Sequence, residues 1–244
     1  MNKKKYLIIS GLIIITVALI ATGFFTLINT KKNKSSSSNM PEVNKEKIIA
    51  LPEPKLDSST SIEKALLNRR SVRDYKSEAL NLAEISQLLW SAQGITDKKS
   101  GGRTAPSAGA LYPMEIYLVV NRVEGLNPGV YKYNPSGHEI ITILTDDKRK
   151  ELAEAALGQD SIAKAPATIV IVAVPERTRV KYGDHADRFV AMEAGHISQN
   201  ICLQVISLDL GTVTVGGFDD QRVKKLLNLP ENEIVLYLMP VGKK

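Results

Sequence analysis

A single cysteine, Cys202, stands in 244 residues, so no disulfide staples this chain to itself and its fold must rest on a hydrophobic core. Gly-x-Gly, Gly-Lys-Ser/Thr and Gly-x-Ser-x-Gly are all missing. Their absence removes the dinucleotide fingerprint, the kinase glycine loop, the P-loop and the nucleophile elbow of α/β-hydrolases. The three histidines, His138, His185 and His196, show no zinc-ligand spacing with Cys, Asp or Glu, so no metal site is expected. Acidic residues are absent from the first 34 positions, where Lys3, Lys4, Lys5, Lys31, Lys32 and Lys34 stand. Setting those lysines aside leaves 26 basic against 26 acidic residues, so the net charge of +6 belongs to this one segment. A balanced remainder gives a nucleic-acid partner no electrostatic footprint.

Between those lysines, Tyr6 to Ile28 carries no charged side chain. At about 1.5 Å per residue it is long enough for a hydrocarbon core of about 30 Å. It reads as a single-pass membrane helix within an anchor of residues 1–32, with a cleaved signal peptide as the rival reading. Basic residues on both flanks leave the side of the soluble part open. Residues 33–58 hold the run Ser35 to Ser38 and the breakers Pro41, Pro52 and Pro54, which predict a flexible tether. Residues 59–244 suit one globular domain.

In that domain helical and extended signals alternate irregularly, which predicts an α+β fold. Thr60-x-x-Glu63 has the form of a capping box before Ile62, Ala65 and Leu66 on one helical face. Asn81 opens a second helix ending near Gly94. Strands are expected over 115–120, 130–133, 139–144, 168–174, 211–215 and 234–239, and helices over 147–157, 184–208 and 219–227. The 184–208 helix is apolar on most sides of its second half and should be the central buried element, with Cys202 a packing residue within it.

Four constellations carry chemistry. Arg69-Arg70-Ser71-Val72-Arg73 sets three guanidinium forks and a hydroxyl within five residues, which fits a phosphate or equally a solvated basic turn. Ala105-Pro106-Ser107-Ala108-Gly109-Ala110-Leu111-Tyr112-Pro113 lets backbone approach a flat ligand, or forms a tight surface loop. Met192 to Asn200 puts Gly195 inside a helix, a mark of a close neighbour. Val215-Gly216-Gly217-Phe218-Asp219-Asp220 leaves amide N–H groups accessible before a helix start, or is a plain turn.

In their order along the chain these segments resemble the nitroreductase-like FMN flavoproteins, most closely the SagB-type branch that includes azoline oxidases of peptide maturation. The likeness spans about residues 59 to 244 and ends on Met239-Pro240-Val241-Gly242. It implies a central mixed or antiparallel sheet flanked by helices, a homodimer with FMN held between subunits, and an oxidoreductase passing hydride through flavin atom N5. NAD(P)H is the implied reductant, and the implied substrate is a small molecule or peptide-derived. By the same resemblance Arg69, Arg70, Ser71 and Arg73 hold the FMN phosphate, ribityl or pyrimidine edge. Pro106, Ser107, Ala108 and Gly109 lie along the isoalloxazine, Gln199 and Asn200 approach from the dimer interface, Gly216 and Gly217 face N5, and Lys243 assists at the phosphate. Lys181-Tyr182 matches a proton-handling pair of azoline oxidases. Two other readings stay open: a membrane-tethered flavin-binding or sensor protein without turnover, and an interaction module whose basic cluster meets anionic lipid.

Overall fold

The computed structural model describes residues 47–244. The expected membrane helix and the first part of the expected tether lie outside these residues. Among the described residues no helix is long and apolar enough to cross a membrane.

The strands are β1 (Ile48–Ala50), β2 (Ile95–Asp97), β3 (Gly102–Arg103), β4 (Met114–Val120), β5 (Gly129–Asn134), β6 (Glu139–Leu144), β7 (Ala167–Ala173), β8 (Leu210–Thr212) and β9 (Ile234–Lys243). The helices are α1 (Ile62–Asn68), α2 (Leu82–Gln93), α3 (Arg149–Ala155), α4 (Asp160–Lys164), α5 (Glu176–Tyr182), α6 (Ala186–Ser207) and α7 (Asp220–Leu226). Seven strands form one sheet in the order β1-β6-β5-β4-β7-β9-β8, and β2 and β3 make a separate hairpin. Every pairing between these strands is antiparallel, which resolves the expected mixed or antiparallel sheet in favour of the second.

Residue alternation builds a core on each face of the sheet. Ile116 and Leu118 of β4 and Ile169 and Ile171 of β7 pack with Leu88 and Leu89 of α2 and Ile197 and Ile201 of α6. Tyr117, Val119, Val170 and Val172 point the other way, against Leu152, Ile162 and Val223 of α3, α4 and α7. β7, buried at all seven positions, therefore reads as an apolar run interrupted by Thr168 alone rather than as an alternating one.

Several sequence expectations need correction. The tether was expected through residue 58, yet β1 pairs with β6, Leu51 is buried, and Lys55 exchanges two hydrogen bonds with Gln87, so its described part is docked. The short apolar stretch Ile48–Ala50 supplies the edge strand that the Pro-rich composition concealed. The α1 cap is Ser61, whose hydroxyl accepts from the Lys64 amide, one residue after the expected Thr60. Of the α1 stripe only Ala65 is buried, while Ile62 and Leu66 are exposed. The 184–208 helix begins at Ala186 and buries one face only; Met192 on the opposite face is 54% exposed. The second helix opens after Asn81 as expected, and there the structure adds a capping box with Glu84.

Candidate functional site

The basic cluster follows α1 as an extended segment laid on the β8–β9 edge. The Val72 amide donates to the Thr212 carbonyl at 2.9 Å and the Lys76 amide to the Lys243 carbonyl at 2.9 Å. Tyr75 Oη donates toward the carbonyls of Val72 and Pro240, at 2.8 and 3.1 Å. Two glycines permit this approach: a methyl at Gly211 would stand 2.6 Å from Val72 Cγ1, and one at Gly242 2.8 Å from Tyr75 Cβ. Arg70, Ser71 and Arg73 are exposed and Arg69 half-buried. Arg70 Nη1 donates to the carbonyls of Leu67 and Arg69, at 3.1 and 2.7 Å, closing the C-terminal end of α1. Among the described residues no carboxylate pairs with Arg69, Arg70 or Arg73, so the guanidinium groups of this arginine lip carry no ion pair.

β8 leads from this lip to Gly216 and Gly217, both exposed. Val215 exchanges hydrogen bonds with Leu238, and Asp219 donates to the Ala155 carbonyl, whereas the two glycine amides between them have no acceptor among the described residues. Neither glycine has a left-handed φ, and an added methyl would be 3.5 Å from Tyr237 at Gly216 and 3.8 Å from Leu157 at Gly217. The chain's own packing thus has room for a side chain at both positions.

A second group gathers at the other end of α6. The Pro106–Tyr112 loop turns through left-handed φ at Gly109, Ala110 and Tyr112, and Ser107 Oγ accepts from the Tyr112 amide at 2.8 Å. Lys181 and Tyr182 close α5, and both tips reach this loop. A methyl at Gly109 would lie 2.9 Å from Tyr182 Oη and 3.0 Å from Lys181 Nζ. The Tyr182 ring stands edge-on to Phe189 of α6, its centroid 5.0 Å away. Adjacent residues therefore converge on one loop.

Glu193 of α6 joins this group and was not foreseen as a site residue. Only 3% exposed, its carboxyl lies beside the Ser107 hydroxyl, the Ala108 amide and Arg103, while Oε1 has no partner. Burial pushes the carboxyl from 4.5 up to about 7 against the opposing pull of Ser107, Arg103 and Ala108. The available signal was an acidic residue on the apolar face of a helix, where charge is expensive unless paired.

α6 connects the two groups. At about 1.5 Å per residue, Glu193 to Cys202 spans about 14 Å. Asn200 lies between, its Nδ2 donating to the carbonyls of Ser91 and Thr104 at 3.1 and 3.2 Å, so this amide anchors the approach to the Pro106 loop. Cys202 is buried with Sγ 3.8 Å from Thr214 Oγ1 and feels the charge of Arg69. Gln199 is exposed on the outer face of α6. Lys243 pairs with Glu84 of the α2 cap, which directs its ammonium to an internal partner. The order of the segments along α6 and β8 leaves the arginine lip and the Pro106 loop as distinct clusters on one chain.

The residues present suit a phosphorylated planar cofactor. Guanidinium groups free of ion pairs match a phosphate, and two unobstructed amides offer donors at a ring edge.

A comparison with protein-family models matches residues 66–243 to the nitroreductase family. The chain belongs to that family. A protein of Methanocaldococcus jannaschii named as a candidate nitroreductase is 49% identical over 183 residues, which are 75% of this chain and 91% of that protein. The microcin B17-processing protein of Escherichia coli is 29% identical over 161 residues, covering 64% of this chain and 59% of its own length. Among solved structures, a crystal structure named as a candidate nitroreductase from Ralstonia eutropha superposes with a TM-score of 0.71 at 29% identity, covering 80% of this chain and 89% of the other. The expected family resemblance is borne out, and with it an oxidoreductase of a family whose enzymes are FMN flavoproteins.

Glu193 gives this family member a testable pH dependence. Between pH 4.5 and about 7 the folded protein keeps a proton that the unfolded chain has lost, so this group's contribution to stability falls as pH rises through that window. Glu193→Gln should remove the fall, so that its stability relative to the parent improves by up to about 3 kcal/mol between pH 5 and pH 8. Urea unfolding of both proteins at the two pH values measures this, and parallel curves would mean that Glu193 is not held near neutrality.

Proposed function

We propose that the protein is an FMN-dependent oxidoreductase, passing hydride through N5 of the flavin and using NAD(P)H or oxidising a small or peptide-derived substrate. The observation that carries the reading is the continuity of three unpaired arginines, through β8, with two glycine amides that have no protein acceptor. Arg69, Arg70, Ser71 and Arg73 would hold the phosphate end, and Gly216 and Gly217 would present N–H donors to the reactive edge. FMN, when bound, supplies two-electron hydride chemistry that no side chain here can supply. The donors discriminate between charge states at the ring edge, and guanidinium charge favours the more anionic form.

Pro106, Ser107, Ala108 and Gly109 would line the ring of a flavin, with Lys181 and Tyr182 as acid or base at a substrate stacked there. Their convergence on Gly109 favours substrates that must lose or gain a proton at a defined atom, as azoline oxidation requires. Gln199 and Asn200 remain proposed contacts from α6. Lys243 is a weaker candidate because Glu84 already holds it.

A homodimer follows from the same surfaces. The outer face of α6 presents Met192 and Gln199, and a methyl at Gly195 between them would meet nothing within 4 Å. α1 packs on α6 and exposes Ile62 and Leu66 alongside. A second copy seated there would bury this apolar surface and bring its own Pro106 loop toward the arginine lip. The apolar Tyr6 to Ile28 segment would tether this dimer to a membrane.

The test is the visible spectrum of the purified protein after FMN addition, followed by anaerobic NADH or NADPH. Flavin bands that bleach are the expected result. Persistent bands with every reductant would favour a non-catalytic flavin-binding protein, and no uptake of FMN would reject the cofactor.

A further inference from the structure

The sheet is split at one place away from the arginine lip. β4 and β5 pair from Val120 and Gly129 as far as Tyr117 and Lys132, and no further pair forms. Both strands nevertheless run on, β4 paired with β7 as far as Met114 and β5 paired with β6 as far as Asn134. A cavity of about 460 Å³ occupies the fork. Met114 and Ile116 form one lip, Tyr133 and Pro135 the other, and Gln93 and Arg103 belong to its lining as well. That volume lies within the range of small-molecule sites, and the lining joins an apolar strip of Met114, Ile116 and Pro135 to a larger polar share.

Charge in the fork is unevenly distributed. Glu115 holds Lys132 at 3.2 Å and also pairs with Arg177, and Lys132 is further held by Glu233 at 3.1 Å. Arg103 has only neutral direct partners: Nη1 donates to Gln93 Oε1 at 2.7 Å, and the guanidinium lies 4.4 Å from the Tyr112 ring centroid. Among the described residues it forms no ion pair, although half-buried. Gln93 itself is fully buried, and its Nε2 has no acceptor. Glu115 and Glu193 lie near enough to act on the Arg103 charge without contacting it, so the guanidinium keeps free N–H donors on the same cavity as a buried Gln93 donor without an acceptor, and such groups are costly unless something else satisfies them.

We propose that this fork is a binding site for an organic carboxylate with an apolar body, its carboxylate on Arg103 and Gln93 and its body against Met114, Ile116 and Pro135. A carboxylate accepts two parallel N–H bonds from a guanidinium and supplies the acceptor that Gln93 lacks. The site is separate from the arginine lip and does not depend on the flavin reading. The carboxylate would belong either to a substrate or to an independent ligand.

Isothermal titration of the purified full chain with hexanoate, hexanamide and acetate tests the site. Hexanoate should bind at least about tenfold more tightly than either control, since a charge-assisted pair is replaced by a neutral one in the amide and the body is missing from acetate. Saturating FMN should leave the hexanoate affinity unchanged. Gln93→Glu sets a carboxylate against Arg103 from within and should abolish hexanoate binding while circular dichroism remains that of the parent. Arg103→Gln should lose hexanoate as well, which keeps the test open should Gln93→Glu fail to fold. Equal binding of hexanoate and hexanamide, displacement of hexanoate by FMN, or full hexanoate affinity in either folded variant would overturn the proposal. If hexanoate also slows turnover competitively the carboxylate belongs to the substrate, and if it does so without competition the ligand is independent; either result requires the fork to be occupied.

Discussion

Gly217→Val should fold as the parent does and fail to retain FMN. A β-branched side chain normally threatens a glycine position through backbone strain or a clash, and neither applies here. Gly217 has no left-handed φ, and the nearest atom to an added methyl is Leu157 Cδ1 at 3.8 Å. The position is also exposed, so the thermal midpoint should move by no more than about 2 °C, as for a surface substitution within about 0.5 kcal/mol. A ligand that must lie against the amide meets the valine methyls instead. Loss of the amide bond together with displacement of a rigid ring should weaken FMN by about 100-fold or more, equivalent to about 2.7 kcal/mol. Fluorescence titration with FMN beside a melting curve separates the two effects. Unaltered FMN affinity would remove the glycine pair from the site, and the interaction-module reading would then account better for the basic cluster.

Gly217 also illustrates what the sequence can and cannot convey. Its tandem glycines and the Arg69–Arg73 cluster were legible as candidate anion contacts, and so was the strand–helix alternation, because residue type and period encode them directly. β6 appears over Glu139–Leu144 and the Asn81 cap on α2 where expected, since local chemistry fixes both. β1 was not legible: three residues gain their strand conformation only from β6, which is distant in sequence. Glu193 was hidden among ordinary helix residues because its burial depends on the Pro106 loop arriving from elsewhere. Lys243 shows the converse, a residue with the right charge whose partner, Glu84, is fixed by the end of β9 meeting the α2 cap. The split between β4 and β5 has no local signature, since both strands continue with their outer neighbours.

The Lys181–Tyr182 pair supplies the second large effect, and it divides the two kinds of turnover open to the site. Tyr182→Phe keeps the ring that stands against Phe189 and removes only the hydroxyl reaching toward Gly109, so folding and FMN retention should be unaffected. Reduction of a nitroaromatic or quinone by NAD(P)H delivers hydride to an acceptor that solvent can protonate, and its rate should stay within about threefold of the parent. Oxidation of an azoline must remove a proton from carbon as hydride departs, and a positioned acid or base contributes about 10²- to 10⁴-fold to such a step. Tyr182→Phe and Lys181→Met should therefore each reduce azoline oxidation by at least about 100-fold while sparing nitro reduction. Gly109→Ala is not selective in this way: besides setting a methyl 2.9 Å from Tyr182 Oη it strains a left-handed φ of 63° in the loop proposed to line the flavin, so it should lower both activities. Equal loss of both activities in Tyr182→Phe would assign the hydroxyl to holding the loop rather than to proton transfer, and no loss in either would leave Glu193, the buried carboxyl beside Ser107, as the stronger base.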